Sequence, residues 1–228
     1  MTPAAVADRA PGSTPRRRPG RTSYRVTVHS GSPGTGDRAY TERLDRLENR
    51  TWKRVLDVQA PYRWNMRRVL GDRAVLDVGC GIGRHLRHLG PGSVGVDHNA
   101  ESVRRCRAQG LDAVTVEEFP TSPAARPGAF DGLLAAHLVE HLPPGGAVDV
   151  LRPYLPSLAP GARVVLICPQ ERGFRSDATH TVFHDDAALA RLARDLGLTV
   201  TAQQSFPLPR IASRVFTHNE FVTVAELR

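Results

Sequence analysis

The chain has little cysteine: Cys80, Cys106 and Cys168 are its only three in 228 residues. They are odd in number, far apart and never in a C-x-x-C pair, which argues against a disulfide framework or a cysteine zinc site. Reduced thiols in a reducing compartment are expected. No stretch approaches the ~18 uninterrupted apolar residues that a membrane span needs. The N-terminus has no apolar core of the kind that marks a secretory signal. These absences make a cytoplasmic protein the default expectation, and the sequence has no internal repeat to suggest a solenoid.

What is present is ordinary for a globular protein, with 40% hydrophobic and 24% charged residues. The length suits one α/β domain with an extension. The net charge of +8 is uneven: residues 1–25 hold six arginines and one aspartate, leaving only +3 for the remainder. Residues 1–38 read as a disordered basic tail, with one short extended piece at Tyr24–Val28. Its Arg16-Arg17-Arg18 run is suited to nucleic acid or an anionic membrane, or is simply solvated. Residues 39–70 read as a helical segment, with an amphipathic helix from Tyr40 to about Leu56 and a second over Tyr62–Leu70.

Residues 71–228 alternate strands and helices, which predicts a doubly wound, mostly parallel sheet. Strands are expected at Ala74–Val78, Ser93–Val96, Ala113–Val116, Phe130–Ala136 and Arg163–Cys168. Helices are expected at Arg84–Leu89, Ala100–Gln109, Gly146–Leu158 (interrupted by Pro153) and Asp185–Leu196, the last capped by Asp185 and stopped by Gly197. Pro160-Gly161 reads as a turn and Pro169–His180 as a long polar loop. Leu198–Ser205 and Glu220–Leu227 are joined by a loop without a helix, so they are expected to pair antiparallel.

The strongest signal is Val75-Leu76-Asp77-Val78-Gly79-Cys80-Gly81-Ile82-Gly83. A buried strand runs into three alternating glycines, which allow a sharp turn and close approach of backbone to ligand. Val94-Gly95-Val96-Asp97 then ends the second strand on a carboxylate, 18 residues after Gly79. That position suits both ribose hydroxyls of an adenosine. A nicotinamide site would favour a glycine at position 84, where Arg84 stands. Asp77 would also repel a pyrophosphate but attract a cationic ligand.

These segments resemble the class I S-adenosylmethionine-dependent methyltransferases. VLDVGCGIGRH resembles the family's first motif, VGVDHNAESV its second, FDGLLAAHLVEHL its fourth-strand motif and LAPGARVVLICP its fifth-strand segment. The resemblance covers roughly residues 70–227. It implies a Rossmann-like α/β fold, with a seven-stranded sheet in the order 3-2-1-4-5-7-6, the seventh strand antiparallel and helices on both faces. It implies S-adenosyl-L-methionine as cofactor. Asp77, Gly79, Cys80 and Gly81, with Gly83 in the same loop, would line its methionine part. Asp97 would hold the ribose and His98 would lie by the adenine. Glu117, Glu118 and Phe119 match the adenine-contacting segment, with the two glutamates not distinguished. Ala136 and His137 would sit near the transferred methyl.

The second half supplies acceptor chemistry. Methyl transfer to a hydroxyl needs alignment and removal of a proton. His137, Glu140 and His141 follow strand four, and Asp177, His180 and His184 follow strand five. Three roles are open to Glu140 and His141: organising the loop, general base chemistry by His137, His141 or His180, or a divalent metal held by His137, Glu140, His141 and His180. The last resembles the E-x-x-E-H pattern of magnesium-dependent small-RNA 2′-O-methyltransferases and ubiquinone-pathway O-methyltransferases. Here His137 replaces the first glutamate, which exchanges a hard oxygen for nitrogen and disfavours magnesium. Arg172 and Arg175 are candidates for recognising a carboxylate or phosphate. Trp52, Tyr62 and Trp64 are candidates for closing over the cofactor, or for ordinary packing.

The expected function is methylation of a small molecule or glycan, most readily at oxygen. An RNA or DNA methyltransferase is the nearest rival. It lacks support from motifs, because there is no D/N-P-P-Y and the order Cys168-Pro169 inverts the Pro-Cys nucleophile. A non-catalytic cofactor-binding regulator and a nicotinamide oxidoreductase are the others.

Overall fold

The computed structural model describes residues 59–228. The predicted tail, the extended piece at Tyr24–Val28, the helix at Tyr40–Leu56 and Trp52 lie outside the described residues.

Seven strands form one sheet: β1 (Val75–Val78), β2 (Val94–Asp97), β3 (Ala113–Thr115), β4 (Phe130–Ala136), β5 (Leu158–Pro169), β6 (Thr199–Phe206) and β7 (Glu220–Glu226). Their order is β3-β2-β1-β4-β5-β7-β6, as the resemblance implies. The first five pair in parallel, and β7 runs antiparallel to both β5 and β6. Among the described residues the α-helices are α1 (Ala60–Leu70), α2 (Ala100–Ala108), α3 (Gly146–Leu151), α4 (Glu171–Arg175) and α5 (Asp186–Asp195).

Strand β1 is buried along its whole length, as expected of a central parallel strand covered on both faces. The pleat then sorts its side chains. Leu76 and Val78 join Val96, Leu133, Leu166 and Phe221 in the larger core, which Leu189 and Leu192 of α5 also enter. Val75 faces the other way, with Leu134, Val165 and Val222, under Met66, Val69 and Leu70 of α1. A third cluster of Cys80, Leu86, Val103, Cys106 and Ala113 packs the turn after β1 onto α2.

Four local expectations are corrected. Arg84–Leu89 is no α-helix: turns lead into a three-residue 3-10 helix at Leu86–His88. Gly81 (φ 52°) and Gly83 (φ 83°) hold left-handed backbone there, and Gly90-Pro91-Gly92 follows too soon for a helix to propagate. The helix expected over Gly146–Leu158 is α-helical only to Leu151 and continues as a 3-10 turn over Arg152–Ser157, where Pro153 and Pro156 lack donors. Pro160-Gly161 lies inside β5 as an irregularity, since Phe130 pairs with Leu158 and Gly132 with Arg163. The polar stretch after β5 contains α4.

The α5 cap is found as predicted: Asp185 Oδ1 accepts from the Ala188 N–H at 2.8 Å, and Gly197 (φ 81°) follows the helix. Asp185→Ala is expected to lower stability by about 1 kcal/mol, measured by urea unfolding with an unchanged m-value.

Candidate functional site

The carboxyl ends of β1 and β2 set the first half of the site. After Val78 the chain turns at Gly79 (φ 79°), where a β-carbon would also stand 2.9 Å from Leu138 Cδ1. Both conformation and space therefore demand glycine. The Gly79 and Cys80 N–H groups donate to the Val96 carbonyl at 2.8 and 3.1 Å, which locks the turn against β2. Asp97 ends β2 almost fully buried. Its Oδ2 accepts from the Gly81 N–H and its Oδ1 from the Asn99 N–H, both at 2.8 Å. Each oxygen keeps a further lone pair for a ligand. His98 is adjacent, with Nδ1 3.4 Å from Asp97 Oδ1.

Asp77 is 1% exposed, and its Oδ2 has no hydrogen-bond partner among the described residues. Burial, reinforced by the neighbouring Asp97 charge, pushes its carboxyl up to about 7. A buried carboxylate without partners is costly, and a cation or N–H donor relieves that cost. The Asp77–Asp97 pair therefore gives this end of the sheet a preference for a ligand that combines positive charge with hydroxyls.

Around β3 the three predicted residues separate. Phe119 is turned into the core, edge-on to Tyr154 with ring centroids 4.8 Å apart. Glu118 binds Arg107 through Oε2 at 2.6 Å and accepts from the Thr115 N–H at 2.9 Å. Glu117 is exposed. Of the two glutamates, only Glu118 is thus committed to holding β3 against α2.

At the end of β4, Ala136 is buried and His137 follows with φ 54°. A left-handed histidine is uncommon and is held here by its surroundings. Its N–H donates to the Ile167 carbonyl at 3.0 Å. Its Nε2 meets Glu220 Oε1 at 2.9 Å, and its Nδ1 faces Glu140 Oε1 at 3.3 Å. Burial lowers the affinity of this ring for a proton, but the two carboxylates outweigh it and hold the group at about 10. His137 is an imidazolium between two glutamates at neutral pH, so it is not free to take up a proton.

Glu140 is wholly buried. Burial pushes its carboxyl up, but the His137 charge prevails and keeps it below the usual range. His141 and His180 stand beside it, their ring centroids 4.8 Å apart. His141 Nδ1 lies 3.2 Å from the Thr179 carbonyl, and His180 Nδ1 lies 2.7 Å from the Phe174 carbonyl. A carbonyl only accepts, so each ring donates through Nδ1, which leaves Nε2 as the nitrogen able to offer a lone pair. Asp177 is a support, its Oδ1 accepting from the Thr179 N–H and hydroxyl.

Sequence reasoning missed Glu220 and His85. Glu220 opens β7 and reaches the site only because β7 inserts beside β5, where Glu220 pairs with Pro169. A buried amide network seats that junction: Gln170 Nε2 donates to the Glu220 carbonyl at 2.9 Å, and Asn219 Nδ2 to Gln170 Oε1 at 2.9 Å. His85 lies in the turn after the glycines. Burial, then the charges of Arg84 and His137, push it down to about 3. Of the aromatic candidates, Tyr62 donates to the His218 carbonyl at 2.7 Å, whereas Trp64 is 60% exposed beneath Arg68.

Beyond α4 lies an open cleft of about 670 Å³ lined by Glu171, Arg175, Arg210, Ile211, Ser213 and Arg214. Arg210 is paired with Glu171. Arg172, in contrast, donates to the Thr217 hydroxyl.

Asp77 has a pH signature. Its folded-state affinity for a proton exceeds the unfolded one, so its burial costs stability as pH rises from about 4 to about 7 and costs most above that. Asp77→Asn is expected to raise stability by roughly 2–4 kcal/mol near pH 8 and to make little difference near pH 4. Denaturant unfolding of both proteins at the two pH values checks this.

Residues 36–203 match the family model described as a methyltransferase domain. A comparison with curated proteins gives no match. Solved structures give many. A S-adenosylmethionine-dependent methyltransferase of Thermotoga maritima is 14% identical, with TM-score 0.61 over 83% of this chain and 98% of that one. One from Archaeoglobus fulgidus is 21% identical, with TM-score 0.52 over 72% and 92%. The 1,6-didemethyltoxoflavin-N1-methyltransferase of Burkholderia thailandensis, solved with 1,6-didemethyltoxoflavin and S-adenosylhomocysteine, is 20% identical, with TM-score 0.51 over 83% and 88%. No helix among the described residues is long and apolar enough to cross a membrane. The family match over most of the chain, on a sheet of this order, establishes that the protein belongs to the methyltransferase-domain family and is a S-adenosylmethionine-dependent methyltransferase.

Proposed function

We propose that the protein methylates an oxygen of a small molecule that carries a carboxylate or phosphate. The observation that carries this reading is the pair of imidazoles, His141 and His180, beside the end of β4 with both Nδ1 atoms anchored on backbone carbonyls. A hydroxyl acceptor must lose its proton, and an imidazole lone pair accepts it.

In this reading the cofactor lies across the carboxyl edge. Gly79, Cys80 and Gly81 follow its methionine part, with Gly83 shaping the same turn. The unpartnered Asp77 carboxylate supports binding of its ammonium group. Asp97 takes the ribose hydroxyls through its remaining lone pairs. His98 and Glu117 flank the adenine, and Phe119 supports that wall from the core. Ala136 and His137 face the methyl. With Glu140 and Glu220, the His137 imidazolium forms a group of net charge −1, which favours a sulfonium nearby.

The acceptor oxygen attacks the methyl carbon and a C–O bond forms. The C–S bond breaks and its electron pair returns to sulfur, leaving the neutral thioether of S-adenosylhomocysteine. The acceptor's proton passes to an imidazole nitrogen of His141 or His180. Alignment supplies most of the acceleration, because the sulfonium already activates the carbon. The arginine-lined cleft beside α4 supports an anionic acceptor, since Arg175 and Arg214 line it with Arg210.

Two outcomes are expected. Asp97→Ala should weaken S-adenosylmethionine binding roughly 10–150-fold, the loss of a charge-assisted acceptor; calorimetric titration checks this, and unchanged affinity contradicts the ribose assignment. In a screen of hydroxylated acids, phosphates and neutral analogues with labelled methyl donor, the anionic compounds should be turned over. Arg175→Ala and Arg214→Ala should then raise KM for the acceptor about tenfold and leave cofactor affinity unchanged.

A further inference from the structure

We propose that Glu140, His141 and His180 form a binding site for one divalent transition-metal ion, and that His137 is not one of its ligands. One ligand atom from each of the three lies within 4.8 Å of the others. Around a bound ion, ligand atoms at about 2.1 Å from the metal stand roughly 3–3.5 Å apart. The three groups therefore need to close by at most roughly 1.3–1.8 Å.

The surroundings prepare these groups for coordination. A histidine ligand must be neutral, and it is oriented by a hydrogen bond from its other nitrogen. His141 and His180 both show this arrangement: their Nδ1–H groups are spent on the carbonyls of Thr179 and Phe174, which leaves Nε2 as the ligand atom. The His180 ring is further fixed by stacking on Phe174, with centroids 5.3 Å apart. The Glu140 carboxylate is wholly buried, and its Oε1 has no aligned hydrogen-bond partner. The buried anion thus has unused acceptor capacity beside two oriented lone pairs.

His137 is set apart from the group that sequence spacing joined it to. Both of its ring nitrogens face carboxylates, Nδ1 at Glu140 and Nε2 at Glu220, so both are already engaged. The remaining set is two nitrogens and one oxygen, with further coordination positions not filled by protein. Such a set favours zinc, iron(II), cobalt(II) or manganese(II) over magnesium, which prefers all-oxygen ligands.

This inference rests on the proposed reading of the site and deepens it: an ion held by these lone pairs would bind the acceptor oxygen and make its proton easier to lose, in place of a free imidazole base. Its test is independent of methyl transfer. The full chain is stripped with a chelator, dialysed and titrated with Co²⁺, Zn²⁺ and Mg²⁺, without cofactor or acceptor. Binding is read by calorimetry and by cobalt absorption. One equivalent of Zn²⁺ or Co²⁺ is expected, with Mg²⁺ at least ~100-fold weaker. His180→Ala and His141→Ala should each weaken Zn²⁺ binding at least 10–100-fold, with circular dichroism unchanged. His184→Ala, in the same segment, should not. Absence of saturable binding overturns the site. So do equal affinities in wild type and both histidine variants, magnesium binding as tight as zinc, or the intense charge-transfer bands of a cobalt–thiolate bond, which would assign Cys168 instead.

Discussion

Two buried carboxylates at the ends of neighbouring strands constrain the whole molecule. Asp77 and Asp97 are brought together because β1 and β2 pair in parallel with Asp77 opposite Gly95. Carboxylates in such positions repel each other and lose hydration. The glycine turn partly compensates, because its Gly81 N–H reaches Asp97. Among the described residues nothing compensates Asp77 Oδ2. The sheet thus carries an electrostatic cost at one edge, and a cationic cofactor with vicinal hydroxyls has the chemistry that lowers it.

The opposite side of the same edge uses the complementary device. Here a cation, His137, is placed between two anions, Glu140 and Glu220, contributed by the β4 loop and the start of β7. The strained backbone of His137 is tolerated because three elements hold the ring and its amide at once. The arrangement joins β4, β5 and β7 at the point where the strand order turns from parallel to antiparallel. It also fixes Glu140, and with it the spacing of His141 and His180. The two halves of the edge thus have separate tasks: one is shaped for a charged cofactor, the other for the group that receives the methyl.

Much of this was legible in the sequence, for physical reasons. Short runs rich in Val and Leu and bounded by glycine or aspartate suit buried strands better than helices, which places β1 and β2 to within a residue at each end, and β4 follows from the same apolar character over Phe130–Ala136. The loop-only link between the last two strands implied antiparallel pairing. Errors fell where local propensity was overruled. Leu86 lies in a periodic apolar pattern, but flanking glycines leave no room for more than one 3-10 turn. Phe119 matched a ligand-contacting segment by position, yet its size and apolarity took it into the core against Tyr154. Glu220 was invisible as a site residue, since its partner His137 is 83 positions away and only the insertion of β7 joins them. His137 itself is legible from its place after β4, but its engagement by two carboxylates is not. Protonation depends on such neighbours, which spacing alone does not reveal.

The claim on which the account rests is that Asp77 receives the cofactor's positive charge. The most direct measurement is the proton released when S-adenosylmethionine binds near pH 6, obtained by calorimetric titration in buffers of different ionisation enthalpy. With its carboxyl at about 7 in the free protein, Asp77 is largely protonated there. Binding of a cation should expel that proton, so release approaching one per cofactor is predicted, and it should vanish in Asp77→Asn. Binding without proton release in the wild type would contradict the account and place the ammonium group elsewhere.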